Sequence, residues 1–199
     1  HQVGTNAVEI EDTYLRLDRD IASFLDYLDQ KVGRGEYLIF LSADHGASNN
    51  ALYLTDRYIP AGSWDSDAAK QYLNETLVNA PISKEKLVTH VMNNQVFFDR
   101  KAIAAQGLDF GKIKAAVVQR LEQDSAVLYA VDMAKASTAP LPDEVKSRVI
   151  NGYNRERSGD VQIVLKSGFS AHGLKGTDHG AWNPYDTHIP LVFMGWGIT

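Results

Sequence analysis

The chain has 199 residues, 44% of them hydrophobic and 23% charged, with a formal net charge of −5; that is enough apolar material for one sizeable soluble core. The acidic balance and the lack of a dense basic run remove the electrostatic footprint of a nucleic-acid binder. Cysteine is absent, which excludes disulfides and thiolate metal sites and leaves any metal to His, Asp and Glu; no apolar run approaches the roughly 18 residues of a membrane span.

Taken in order, Tyr14, Leu17, Ile21, Phe24, Leu25 and Leu28 fall at three- and four-residue spacing and predict one helix between Asn6 and Lys31. Asn6 with Glu9 reads as a capping box, and Gly33 and Gly35 end the helix. Tyr37 to Leu41 follows without alternation, the pattern of a strand covered on both faces of a parallel sheet, and runs into Ser42-Ala43-Asp44-His45-Gly46. A polar segment, Ala47 to Asn50, is followed by a long stretch to Pro81 that has weak periodicity and reads as a surface lid or insertion, with a short helix over 67–77. Beyond it the sequence predicts a helix from Ser83 through Leu87 and Val91, a strand over 95–98, a helix over 112–122, a strand over 126–131, a helix over 142–150 and a strand over 160–165. Short alternating elements of this kind suit an α+β subdomain inserted into a larger sheet; a single continuous sheet is the other arrangement they permit. Residues 176–190, rich in Gly, Pro, Asn and Asp, read as loop throughout and lead into a final apolar strand, 191–194.

The expected class is therefore α/β: part of a mostly parallel sheet flanked by helices, with a smaller inserted α+β subdomain. The expected division is a core segment with the Asp-His pair and lid over 1–80, the insertion over 81–168, and a return to the core over 169–199.

In α/β sheets, ligands gather beyond the carboxyl ends of the strands, where Asp44 and His45 lie. Carboxylate oxygen and neutral imidazole nitrogen are both good zinc ligands; an Asp-His pair at a strand end also serves as a turn and cap. The full inventory of candidate ligands is His1, Asp44, His45, Asp178, His179, Asp186 and His188, nearly enough for a dinuclear centre if the segments meet. His90 reads as a helix-surface residue and His172 as a surface-loop residue. Glycine-rich nucleotide fingerprints, a P-loop and a GxSxG elbow are all absent.

Ser42-Ala43-Asp44-His45-Gly46, Gly176-Thr177-Asp178-His179-Gly180 and Pro184-Tyr185-Asp186-Thr187-His188-Ile189-Pro190-Leu191 occur in the order of the alkaline phosphatase superfamily. With Asn151-Gly152-Tyr153-Asn154, Arg157-Ser158-Gly159-Asp160 and the ending Phe193-Met194-Gly195-Trp196-Gly197-Ile198, the chain resembles the monoesterase branch typified by the bacterial phosphate-irrepressible alkaline phosphatases. That resemblance implies a phosphate monoester hydrolase with two Zn2+, working through a phospho-enzyme on a Thr or Ser nucleophile. It implies Asp44 and His45 as ligands of the nucleophile-side zinc, and His179 and His1 as ligands of the second. His1 matches the histidine of a D-x-x-x-H element before the long helix. The nucleophile, an early Asp ligand and a phosphate-gripping Lys/Arg pair would lie upstream of His1. By the resemblance this is the carboxyl-terminal half of a periplasmic or secreted enzyme, with a small phosphate ester as substrate and the amino-terminal half of the same protein as partner. It has no catalytic residue of its own and little or no turnover alone. A phosphodiesterase or sulfatase of the same superfamily, or a catalytically incompetent metal-binding fragment, is the alternative. Asp178, Asp186 and His188 take no role from the resemblance: Asp186 could accept from an imidazole, and His188 suits bracing of the loop better than ligation.

Overall fold

The computed structural model describes residues 4–171, 173–180 and 182–198. The chain is of the α/β class and divides into two compact units, one made of residues 1–59 and 174–199, the other of residues 60–173.

In the first unit, helix α1 spans Val8–Lys31 and leads through positive-φ glycines at 33 and 35 to strand β1, Leu38–Ser42. The helix begins without a side-chain cap: the Asn6 amide instead donates to Asn49 Oδ1 at 3.0 Å, so the capping box is not formed. Tyr37 anchors the turn by donating its hydroxyl to Asp29 Oδ1 at 2.7 Å. After α2, Ala51–Thr55, the chain returns to this unit at Leu174. Pro184–Thr187 forms a single turn of helix, α7, inside the stretch expected to be all loop; proline at the first helical position is pre-set for that φ and lacks only an N–H that the turn would leave unpaired. The last strand, β8, is Leu191–Gly195 and pairs with β1 in antiparallel register from Leu38↔Gly195 to Ser42↔Leu191, where the unbroken apolar run had suggested a parallel neighbour. Gly195 sits at φ 109, and a Cβ there would lie 2.1 Å from the Tyr37 carbonyl oxygen, so the close approach of the two strand ends requires glycine.

The second unit holds the closed core. Trp64, Leu73, Leu77, Leu87, Val96, Ile113, Val117, Leu121, Val161 and Ile163 are all buried in one cluster. Strands β3 (Val88–Met92), β4 (Gln95–Phe98), β5 (Val127–Asp132) and β6 (Val161–Leu165) make an antiparallel sheet in the order β3-β4-β6-β5. A short parallel pair joins β2, Gly62–Ser63, to β7, Phe169–Ser170. Helices α3 (Ser66–Asn79) and α5 (Phe110–Leu121) lie on the sheet, each started by an aspartate, Asp65 or Asp109, that accepts from first-turn amides. Helices α4 (Arg100–Ala105) and α6 (Asp143–Asn151) and a 3-10 turn, Met133–Thr138, complete the unit.

Two expectations change here. Residues 66–79 are no lid: Ala69, Leu73 and Leu77 of α3 are wholly buried, because their four-residue spacing supplies an apolar stripe that the sheet covers. The segment read as a helix through Val91 is β3. Val88 and Val91 face the core and Asn93 and Asn94 take left-handed φ of 51 and 57, the two-residue turn that fits a tight antiparallel hairpin. His90 therefore lies exposed on a strand.

Candidate functional site

Strand β1 ends two residues before Asp44, and the chain then turns sharply against the loop that precedes β8. Gly46 donates its N–H to the Asp186 carbonyl at 2.7 Å and Ala47 donates to the Tyr185 carbonyl at 3.2 Å. A Cβ on residue 46 would lie 2.1 Å from the Tyr185 oxygen, so only glycine lets the two backbones approach this closely.

Two residues beyond Gly46, Ser48 is buried and makes a clasp. Its N–H donates to the Asp178 carbonyl at 2.8 Å, its Oγ accepts from the Asp178 N–H at 3.2 Å, and its own carbonyl accepts from the Thr177 hydroxyl. Asn50 adds a bond from its amide to the Gly176 carbonyl at 3.0 Å. These bonds tie 46–50 to 176–186, two segments that the sequence leaves far apart.

The clasp brings two imidazoles together. The rings of His45 and His179 stack with centroids 3.7 Å apart and planes 10° from parallel. The two Asp-His-Gly tripeptides share a local form: Asp44 Oδ1 accepts from the His45 N–H at 3.0 Å, and Asp178 Oδ1 accepts from the His179 N–H at 2.8 Å. His45 Nδ1 lies 2.6 Å from the Gly46 carbonyl oxygen; a carbonyl only accepts, so Nδ1 carries a proton, and in the neutral ring the lone pair is on Nε2. Nε2 then lies 3.6 Å from Asp44 Oδ2. Two donors bound about 2.0–2.2 Å from one tetrahedral zinc are about 3.4 Å apart, so this pair fits a shared cation with little adjustment. The Asp44 side chain is 88% exposed and that of His45 36%.

Of the expected ligands, Asp44, His45 and His179 are thus neighbours, and His1 lies outside the described residues, as does His172 of the surface-loop reading. Among the described residues no three His, Cys, Asp or Glu side chains gather as one cation site. Asp178 and Asp186 are buried, and the backbone of each bonds the opposite segment: Ser48 and Asp178 exchange bonds, and Asp186 accepts from Gly46. His188 is exposed and closes the turn of α7 through its N–H to the Pro184 carbonyl at 2.9 Å. Sequence reasoning missed Ser48 and Thr177, whose bonds span about 130 residues and leave no local pattern. The only signal was their place beside the two Asp-His-Gly tripeptides.

The family model for type I phosphodiesterase / nucleotide pyrophosphatase matches residues 1–189, and the chain belongs to that family, within the alkaline phosphatase superfamily. It is 46% identical to alkaline phosphatase PafA of Elizabethkingia meningoseptica over 199 residues, covering 100% of this chain and 36% of the relative. It is 43% identical to alkaline phosphatase PhoV of Synechococcus elongatus, covering 100% and 35%. A crystal structure of wild-type alkaline phosphatase PafA superposes with a TM-score of 0.93 at 45% identity, over 100% of this chain and 38% of that one. The chain spans little more than a third of the length of these relatives. Among the described residues no helix is long and apolar enough to cross a membrane.

Proposed function

We propose that this chain is the metal-binding portion of a zinc-dependent phosphate monoester hydrolase, supplying Asp44, His45, His179 and His1 as ligands. The observation that carries the reading is the stacking of His45 on His179 at 3.7 Å. Nearly parallel rings at that separation can present nitrogen lone pairs to two cations about 3.5–4 Å apart, the usual spacing of a two-metal phosphoryl-transfer site. The likeness to PafA and PhoV, both named alkaline phosphatases, supports the substrate class. Bound zinc would offset the charge on phosphoryl oxygens and lower the pKa of the attacking hydroxyl. The chain's own contribution is to aim the His45 Nε2 lone pair and the Asp44 carboxylate at one point and to fix the second imidazole beside them. The Thr or Ser nucleophile belongs to the rest of the longer protein, which works outside the cytoplasm; the portion alone turns over little or no substrate.

The remainder of that protein is also the partner proposed for the apolar face of the first unit. Helix α1 has no buried residue, and Tyr14, Phe24, Phe40, Val192 and Phe193 are exposed, far more apolar surface than a free-standing surface helix and hairpin present. A second reading, phosphodiester hydrolysis, is favoured by the description of the matching family.

The test is the full-length protein with His45→Ala or His179→Ala. Each should cut zinc content and turnover of a chromogenic phosphate monoester by orders of magnitude, since each removes a direct ligand; near-normal zinc content and activity in both would end the proposal. Faster turnover of the corresponding diester by the unaltered enzyme would transfer it to the second reading.

A further inference from the structure

The contacts that bring His45 beside His179 are not made by a hydrophobic core. Among the described residues the first unit contributes only Ala51 to the buried apolar residues, whereas Ser48, Asp178, Asn183 and Asp186 are its buried polar residues. What joins the two histidine-bearing segments between residues 46 and 48 is a set of hydrogen bonds. One end of that set, Gly46 and Ala47 against Asp186 and Tyr185, is backbone to backbone. The other end adds side chains to a backbone bond from the Ser48 N–H to the Asp178 carbonyl: Ser48 Oγ accepts from the Asp178 N–H, and the Thr177 hydroxyl donates to the Ser48 carbonyl. Asp178 is the residue next to His179, and Ser48 stands three residues after His45.

We infer that Ser48 and Thr177 are positioning residues that set the separation of the His45 and His179 rings and hence the spacing of the cations those rings hold. Ligating atoms must lie within about 0.2 Å of ideal metal distances, and a chain segment shifts by several times that when a buried anchor is lost. Both hydroxyls bond backbone atoms of the opposite segment. Ser48 is buried, so water is a poor substitute for its Oγ as the acceptor of the Asp178 N–H. This inference rests on the zinc reading above and specifies what holds that site's geometry.

The experiment uses full-length protein, zinc titration against a chromophoric chelator, and the visible spectrum of the cobalt-substituted form. Ser48→Ala and Thr177→Val should each weaken zinc binding about ten- to a hundredfold, the range found when groups behind metal ligands are removed, and alter the cobalt bands. Thr177→Ser, which keeps the hydroxyl, should bind as the unaltered protein does. Should Ser48→Ala fail to fold, Thr177→Val against Thr177→Ser carries the same contrast. Unaltered affinity and spectrum in Ser48→Ala and Thr177→Val, with affinity lost in His45→Ala, would overturn the clasp and leave the metal reading standing. Unaltered affinity in His45→Ala as well would overturn both.

Discussion

The two units of this chain are held together by different physics. Residues 60–173 bury Leu73, Leu77, Leu87, Ile113, Val117 and Leu121 completely, and at roughly 1.5–3 kcal/mol per buried side chain such a cluster stabilises the unit on its own account. The unit carrying Asp44, His45 and His179 has a 24-residue helix with no buried residue and a two-stranded sheet whose Leu38, Phe40, Leu191 and Val192 are exposed. Its order at the site comes from directional bonds between loops. One region is built to be stable; the other is built to bring two chain segments to a fixed separation. Stability and function should therefore respond to different substitutions.

The sharpest way to break this contrast is Gly46→Ala in the full-length protein. The new Cβ would meet the Tyr185 carbonyl at 2.1 Å, and since that atom is backbone, the two segments must move apart. Zinc affinity should fall about a hundredfold, read by chelator competition, while amide exchange across residues 60–173 stays as it was. Exchange that rises throughout the second unit would show that the two regions do not respond separately.

The converse substitution is Leu73→Ala. It should cost about 3 kcal/mol of stability through lost burial and a cavity, seen as a lower denaturant midpoint, with zinc affinity of the folded protein unchanged. A parallel loss of zinc affinity would blur the division.

A smaller effect is expected at Asp124. Its Oδ2 accepts from the Trp64 indole at 3.1 Å and from the Tyr72 hydroxyl at 2.9 Å, and its Oδ1 accepts from the Ala126 N–H at 2.9 Å. Asp124→Ala leaves those donors without the carboxylate and should cost about 1–3 kcal/mol. The same contact has a pH signature. Burial first, then the hydrogen bond to Asp124 and its charge, push the Tyr72 phenol well above its ordinary 10.0. The folded state thus favours the protonated phenol. The stabilisation from this group is complete below pH 10 and is lost as pH rises above it. Melting of the unaltered protein should fall between about pH 10 and 12, and Asp124→Ala should flatten that fall; an identical alkaline profile would contradict it.

Much of the site was legible in the sequence because its chemistry is local: an apolar run halting at Asp44-His45-Gly46, and a second Asp-His-Gly in a loop that enters another strand. Helix α1 was legible from its stripe, although Tyr14, Leu17 and Phe24 of that stripe are exposed and Ile21, Leu25 and Leu28 only half-buried. The direction of the β1–β8 pair was not, since an unbroken apolar run fits a covered strand of either sense and the partner lies about 150 residues away. The β3–β4 hairpin was lost to Ser83-Lys84-Glu85-Lys86, a good helix opening, although Asn93-Asn94 between β-branched runs was the better signal. Ser48 could not be found at all, because a serine that bonds a backbone amide 130 residues on looks like any loop serine.

The most direct measurement is zinc-edge anomalous scattering from crystals of the full-length protein. Two peaks about 3.5–4 Å apart are expected, one about 2.0–2.2 Å from an Asp44 oxygen and a His45 nitrogen and the other at that distance from a His179 nitrogen. Two bound zinc ions that leave either of these imidazoles without a metal bond would contradict it.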